Sequence, residues 1–179
     1  MKLEKLFRFL TRPPTSGPKA ALAIRVMVGG VFFWEGLLKF VYANQGIGRF
    51  TKLGLPIPDV LAPAVAVLEI GGGLLLMSGL GTRLITIPFI IEMVVAMLST
   101  KIGLFHGTSP LAKPPSPPTA GIWAVLHEIR SEYAQIMSCI FLFAAGPGPW
   151  SLDALLQRRR RARAERSTLR VGTGLEQIG

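Results

Sequence analysis

Charge is scarce in this chain. Asp, Glu, Lys and Arg make up 17% of its 179 residues, where soluble domains run at about 25%. That shortage argues against an ordinary soluble domain, and half of the residues are apolar. Cysteine is scarcer still, with Cys139 the single one. An intrachain disulfide, a dithiol relay, a CxxCH haem attachment and a Cys/His zinc cluster are therefore excluded, so no metal site is expected. A lone cysteine inside an apolar block reads as a small apolar filler. Of the two histidines, His106 and His127, a haem would need both as axial ligands. Both fall at the edge of an apolar block beside a proline-rich stretch, so surface or hydrogen-bonding roles fit better.

What is present is a succession of long apolar blocks separated by short polar ones. Lipid admits only helices or closed barrels, because every backbone polar group must be satisfied internally. The blocks are too long and too continuously apolar for barrel strands, which alternate over about ten residues. The expected fold is all-α, an integral membrane four-helix bundle with spans at about 20–43, 60–80, 84–104 and 122–146. A basic lead, 1–19, precedes it, and a basic tail, 147–179, follows it. The first block lacks a compact basic region before it and a small-residue cleavage site after it, so it reads as an uncleaved anchor.

The connections have distinct characters. The loop Asn44–Asp59 carries Phe50, Leu53, Leu55 and Ile57, apolar enough to lie along a membrane surface. Gly79-Leu80-Gly81-Thr82-Arg83 is short enough to make an antiparallel hairpin of the second and third spans. The five prolines of Phe105–Gly121 rule out a continuous helix there. Gly71-Gly72-Gly73 lets a neighbouring helix approach closely. Gly146-Pro147-Gly148-Pro149 ends the fourth span.

The net charge of +10 is unevenly spread. Five basic residues precede the first block, and seven arginines lie between Arg158 and Arg170. With no soluble domain left to hold a nucleic acid, these charges read as topology signals and contacts to anionic lipid. Placing both termini on the cytoplasmic side puts 14 of the 20 Lys and Arg there, counting Arg25. Trp123 and Trp150 read as interfacial anchors.

Ionisable groups inside a span are expensive and need a partner or a function. Glu35 and Lys39 share a helix face at four-residue spacing. Glu69 and Glu92 fall near mid-span. Lys101, His127, Glu128, Arg130 and Glu132 fall on the outer side. Two readings stand side by side. In one, these charges are structural pairs, Glu35 with Lys39 and Glu69 with Lys39 or Lys101. In the other, they form a polar pocket for a quinone head, a proton path or a small polar ligand. Arg25 and Arg83, at the inner boundary, read as lipid-interface residues snorkelling to phosphates.

The run of residues resembles the DoxX family of small bacterial membrane proteins. The likeness rests on Arg25, Gly30-Val31-Phe32-Phe33, Gly36-Leu37-Leu38-Lys39-Phe40 and Gly54-Leu55-Pro56. It continues through Glu69-Ile70-Gly71-Gly72-Gly73, Gly79-Leu80-Gly81-Thr82-Arg83, Met93-Val94-Val95-Ala96 and Gly146-Pro147-Gly148-Pro149-Trp150-Ser151-Leu152-Asp153. The resemblance implies a four-helix fold in the bacterial inner membrane. It also implies association with quinone-linked thiosulfate oxidation and with complexes handling oxidative and thiol stress. The expected function is support of such a redox complex, with quinone as the candidate cofactor and with redox-enzyme subunits or further copies of the chain as partners. No self-contained catalytic motif is present, and without a thiol pair any thiol chemistry belongs to a partner. The alternative is a non-catalytic scaffold or assembly factor. Solute transport fits less well, because no inverted repeat with broken helices is visible.

Overall fold

The computed structural model describes residues 2–11, 13–111 and 117–176. Lys113, Pro114 and Pro115 of the proline-rich loop lie outside the described residues, as do Arg12 and the side chains of Arg166 and Arg170. The described residues form α1 (Lys2–Thr11), α2 (Ala21–Val41), α3 (Ile47–Lys52), α4 (Pro58–Ser78), α5 (Thr82–Thr100), a 3-10 turn (Ile102–His106), α6 (Ile122–Glu128), α7 (Arg130–Ala145) and α8 (Leu152–Glu176). All regular structure among them is helical.

Local sequence explains the boundaries. Pro58 opens α4, where its missing N–H is no loss. Gly79 closes it in the left-handed conformation, with φ +70°. Gly81, at φ +61°, reverses the chain so that α5 begins at Thr82. The expected hairpin is therefore made in three residues. The lead is more ordered than a bare basic arm, since α1 packs on α5. The loop after α2 contains α3, which buries Phe50.

Three segments are long and apolar enough to cross a membrane: Ala21–Val41, Pro58–Ser78 and Thr82–His106. The fourth expected span, 122–146, is instead divided at Ile129 into α6 and α7. The division falls in the polar run His127–Glu132, where the Arg130 guanidinium donates back to the His127 carbonyl at 2.9 Å. The 16 residues of α7 reach about 24 Å, short of a hydrocarbon core of about 30 Å.

Helices α2, α4, α5 and α7 pack in a ring, α2 on α4 and α5 on α7 most extensively. The α2–α4 seam is set by glycine. A Cβ on Gly29 would lie 2.6 Å from the Gly73 carbonyl oxygen, and one on Gly73 would lie 2.5 Å from that of Gly29. Backbone therefore touches backbone, the contact that small residues allow in membranes. Inside the ring, Phe32 of α2 stacks on Phe89 of α5 with centroids 3.7 Å apart. Val28, Leu76, Cys139 and Leu142 complete this buried cluster. The outer surface is apolar as well, with Val67, Leu74, Ile91 and Leu98 exposed. A soluble protein avoids such a surface, and lipid covers it.

Candidate functional site

The bundle has three polar regions. The first, at the arginine end, ties the chain's turns together. Arg25 is fully buried, and its Nη2 donates to the Trp150 carbonyl at 2.5 Å. Its guanidinium lies where a Cβ on Gly79 would stand, so this position needs glycine both for space and for φ. Asp153, in the first turn of α8, accepts from the Gly81 amide at 3.2 Å and donates its own N–H to the Gly79 carbonyl at 3.1 Å. Burial pushes the Asp153 carboxyl up, while the Gly81 and Thr82 amides and Arg25 pull it down. Arg83 donates from Nε to Phe143 and from Nη2 to Ala144, capping the last carbonyls of α7 at 2.8 and 3.2 Å. Its Nη1 reaches Phe9 of α1, whose ring lies 4.0 Å from the guanidinium carbon.

This corrects the expectation that Arg25 and Arg83 snorkel to lipid phosphates. Both are buried in protein: Arg83 donates to three backbone carbonyls, and Arg25 donates from Nη2 to that of Trp150 while its Nε and Nη1 have no partner among the described residues. The sequence shows an arginine at a span boundary. It does not show that the Gly146–Trp150 turn folds back over that boundary.

The second region lies in the middle of the bundle. Lys39 of α2 donates to Glu69 of α4 at 2.5 Å, with side chains 13% and 2% exposed. Glu69 is level with Gly36, whose missing side chain lets α4 close up at that point. Lys39 reaches down one turn to meet it. Glu92 of α5 lies beside Glu69, with Lys39 and Glu35 also in electrostatic range. Counting from Pro58 and Thr82, Glu69 and Glu92 sit at depths of about 16 and 15 Å, the middle of a bilayer. Lys39 and Glu69 form the ion pair, and Glu92 and Glu35 bring two further carboxyl groups near it. Glu35, expected to pair with Lys39, is exposed instead. The cluster therefore opens on that side of the bundle.

Two buried atoms here have no hydrogen-bond partner among the described residues: Oε2 of Glu92, an acceptor, and Nε2 of Gln135, a donor. They belong to α5 and α7, which pack together. Gln135 is one turn from Cys139, which lies in the electrostatic range of Glu92. Gln135 was not among the residues expected from sequence, because an uncharged amide does not register in a search for ionisable groups. Its signal was a lone amide in the apolar half of the last span.

Lys101, Glu128, and Glu132 form a separate group nearer the far end. Lys101 lies 3.3 Å from Glu128 and 4.0 Å from Glu132. It is nine residues beyond Glu92 on α5, about 13 Å along the axis. His127 and Arg130 are exposed and stand apart from both groups, and His106 is exposed on the 3-10 turn. The outer charges expected to converge therefore divide into a deep group (Lys39, Glu69, Glu92, with Glu35 at its rim) and a shallow one.

Apolar helices packed through glycine and a charge cluster at mid-depth define a polytopic helical membrane protein with an intramembrane polar site. The chain belongs to the DoxX family. The DoxX family model matches residues 20–102, which contain Arg25, Lys39, Glu69, Arg83 and Glu92. The chain is 37% identical over 147 residues to the Mycobacterium tuberculosis protein named "Uncharacterized membrane protein Rv3486", covering 82% of this chain and 86% of that one. It is 35% identical over 81 residues to the Bacillus subtilis protein named "Putative oxidoreductase CatD", covering 45% and 59%. No solved structure matches.

Proposed function

We propose that this protein is the membrane subunit of a redox complex and receives a quinone headgroup at the deep cluster. One observation carries the reading: a buried acceptor, Glu92 Oε2, and a buried donor, Gln135 Nε2, are both without partners near a satisfied Lys39–Glu69 pair. Unpaired polar atoms at this depth are costly, and a ligand presenting one hydroxyl donor and one oxygen acceptor would satisfy the two together. The two ring hydroxyls of a quinol do this, one donating to Glu92 and the oxygen of the other accepting from Gln135. A quinol is lipophilic enough to arrive through the bilayer, on the side where Glu35 is exposed. The relative whose name includes oxidoreductase fits the same direction.

The residues then have distinct tasks. Gln135 Nε2 donates to a ring oxygen and orients the head. Glu92 Oε2 accepts from the opposite hydroxyl and holds its proton. Lys39, fixed by Glu69, sets the local potential. A bound quinone supplies two-electron, two-proton chemistry, and the electron donor is a partner subunit. The reading is tested by purifying the protein in mild detergent with its bound partners and identifying extracted lipophilic molecules by mass spectrometry. Stoichiometric quinone is the expected result, and a preparation with partners but no quinone contradicts it.

A second reading, a non-catalytic scaffold, draws on the pairs that are complete in themselves, Lys39–Glu69 and Lys101–Glu128. It leaves Glu92 Oε2 and Gln135 Nε2 without a role.

We also place the arginine end in the cytoplasm of a bacterial inner membrane, with both termini there. The support is the excess of basic residues at that end. Alkaline phosphatase fused after Gly179 is expected to be inactive and a fluorescent protein there to fluoresce. The opposite pattern contradicts the orientation.

A further inference from the structure

We infer that the arginine end carries a dedicated binding site for one anionic phospholipid. An open groove of about 330 Å³ runs between the end of α4 and the start of α8, lined by Ser78, Pro149, Trp150, Ser151, Leu152, Leu155 and Arg158. Its position is set by the fold. Ser78 ends a membrane-spanning helix, so the groove lies at the level where hydrocarbon gives way to headgroups.

The groove has two kinds of wall. Leu152 and Leu155, one turn apart on α8, are exposed and apolar. Trp150 is 59% exposed and adds a broad apolar face with an N–H at one edge. The other wall is cationic. Arg158 lines the groove directly, and the Lys19 ammonium sits 5.7 Å from the Trp150 ring centre. An apolar strip beside two cations matches an acyl chain joined to a phosphate. It matches less well a free anion, which has no use for the leucines, or a zwitterionic lipid, whose headgroup cation is repelled by Arg158 and Lys19.

The walls are held from behind. The buried Arg25 guanidinium fixes the Trp150 carbonyl and packs against Gly79 beside Ser151. Asp153 fastens the first turn of α8 to Gly79 and Gly81. Gln157 donates to the Pro13 carbonyl at 2.9 Å and accepts from Thr15 at 3.3 Å, fastening the next turn to the N-terminal segment. Arg158 is therefore presented from an anchored turn, unlike the arginines further along α8. Preorganisation of this kind separates a site from general attraction of a basic tail to an anionic surface.

The test is native mass spectrometry of the full chain released from detergent with added phosphatidylglycerol or phosphatidylcholine. One phosphatidylglycerol retained per chain, at least fivefold over phosphatidylcholine, is the expected result. Arg158→Gln combined with Lys19→Gln should abolish that preference, while Arg160→Gln combined with Arg161→Gln should leave it. Both pairs are exposed, so folding is preserved, which an unchanged melting temperature confirms. An equal loss from the two double variants, or equal retention of both lipids by the wild type, would overturn the site. Inorganic phosphate in excess should not displace the lipid. Displacement would show that the leucine wall contributes nothing and would overturn the assignment to a lipid.

Discussion

Lys39→Met is expected to lower the stability of the purified protein by about 3–5 kcal/mol, the penalty for stranding a buried charge. The reason is asymmetry. Lys39 is the single ammonium beside the carboxyl groups of Glu35, Glu69 and Glu92, so removing it leaves Glu69 without its counter-charge at mid-depth. Glu69→Leu should be milder, because Glu92 remains as a partner for Lys39. The double variant Lys39→Met/Glu69→Leu should recover much of the loss, since a well-packed apolar pair often replaces a buried ion pair without penalty. Thermal melts in one detergent, compared across the three variants, check the order. A Lys39→Met protein as stable as wild type contradicts the charge count.

Gly73→Leu should be at least as damaging, and for a different reason. The first atom of any side chain at Gly73 would meet the Gly29 carbonyl oxygen at 2.5 Å, and a leucine has three more carbons to place. It would also meet the Phe33 backbone nitrogen at 2.9 Å, and since both contacts are backbone, α2 and α4 must separate. Two turns above Gly29, Gly36 packs on Ala66 and Glu69. Separation there also pulls Lys39 from Glu69. Loss of folded protein in detergent-resistance assays is expected for Gly73→Leu. Gly71→Leu should be tolerated, because a Cβ at Gly71 meets nothing within 4 Å. Equal tolerance of both would mean that the seam is not set by backbone contact.

Much of the fold was legible in the sequence because lipid imposes simple rules. Long apolar runs gave three spans, and Gly79–Gly81 gave the hairpin between two of them. Less was legible where polar residues interrupt a span. The run His127–Glu132 breaks the last one at Ile129, and hydropathy does not show a break that keeps the chain helical on both sides. The deep site was legible in its charges, Lys39, Glu69 and Glu92, because ionisable residues stand out against an apolar background. Their pairing was legible as alternatives: spacing along one helix suggested Glu35 for Lys39, depth suggested Lys39 or Lys101 for Glu69, and the close approach of α4 at Gly36 selects Lys39–Glu69.

Arg25 and Arg83 show the same limit from the other side. Their position at the ends of spans suggested lipid, and nothing local announced that the Gly146–Trp150 turn and α1 cover them. The motifs Gly79–Arg83 and Gly146–Asp153 acquire a physical meaning only together. Arg25 and Asp153 join one to the other, and Arg83 caps the helix that leads into the second.

The most direct test is the affinity for the reduced quinone, the quinol, in lipid nanodiscs, measured for the wild type, Glu92→Leu and Gln135→Leu. Each substitution removes a polar group that has one buried atom without a partner, so the loss of affinity is read for variants whose melting temperature matches the wild type. Each removes one proposed hydrogen bond to the head. A hydrogen bond between neutral groups contributes about 0.5–1.5 kcal/mol, so each variant should weaken binding roughly 2- to 10-fold. Quinol binding that is absent from the wild type, or unchanged in Glu92→Leu, would contradict the account.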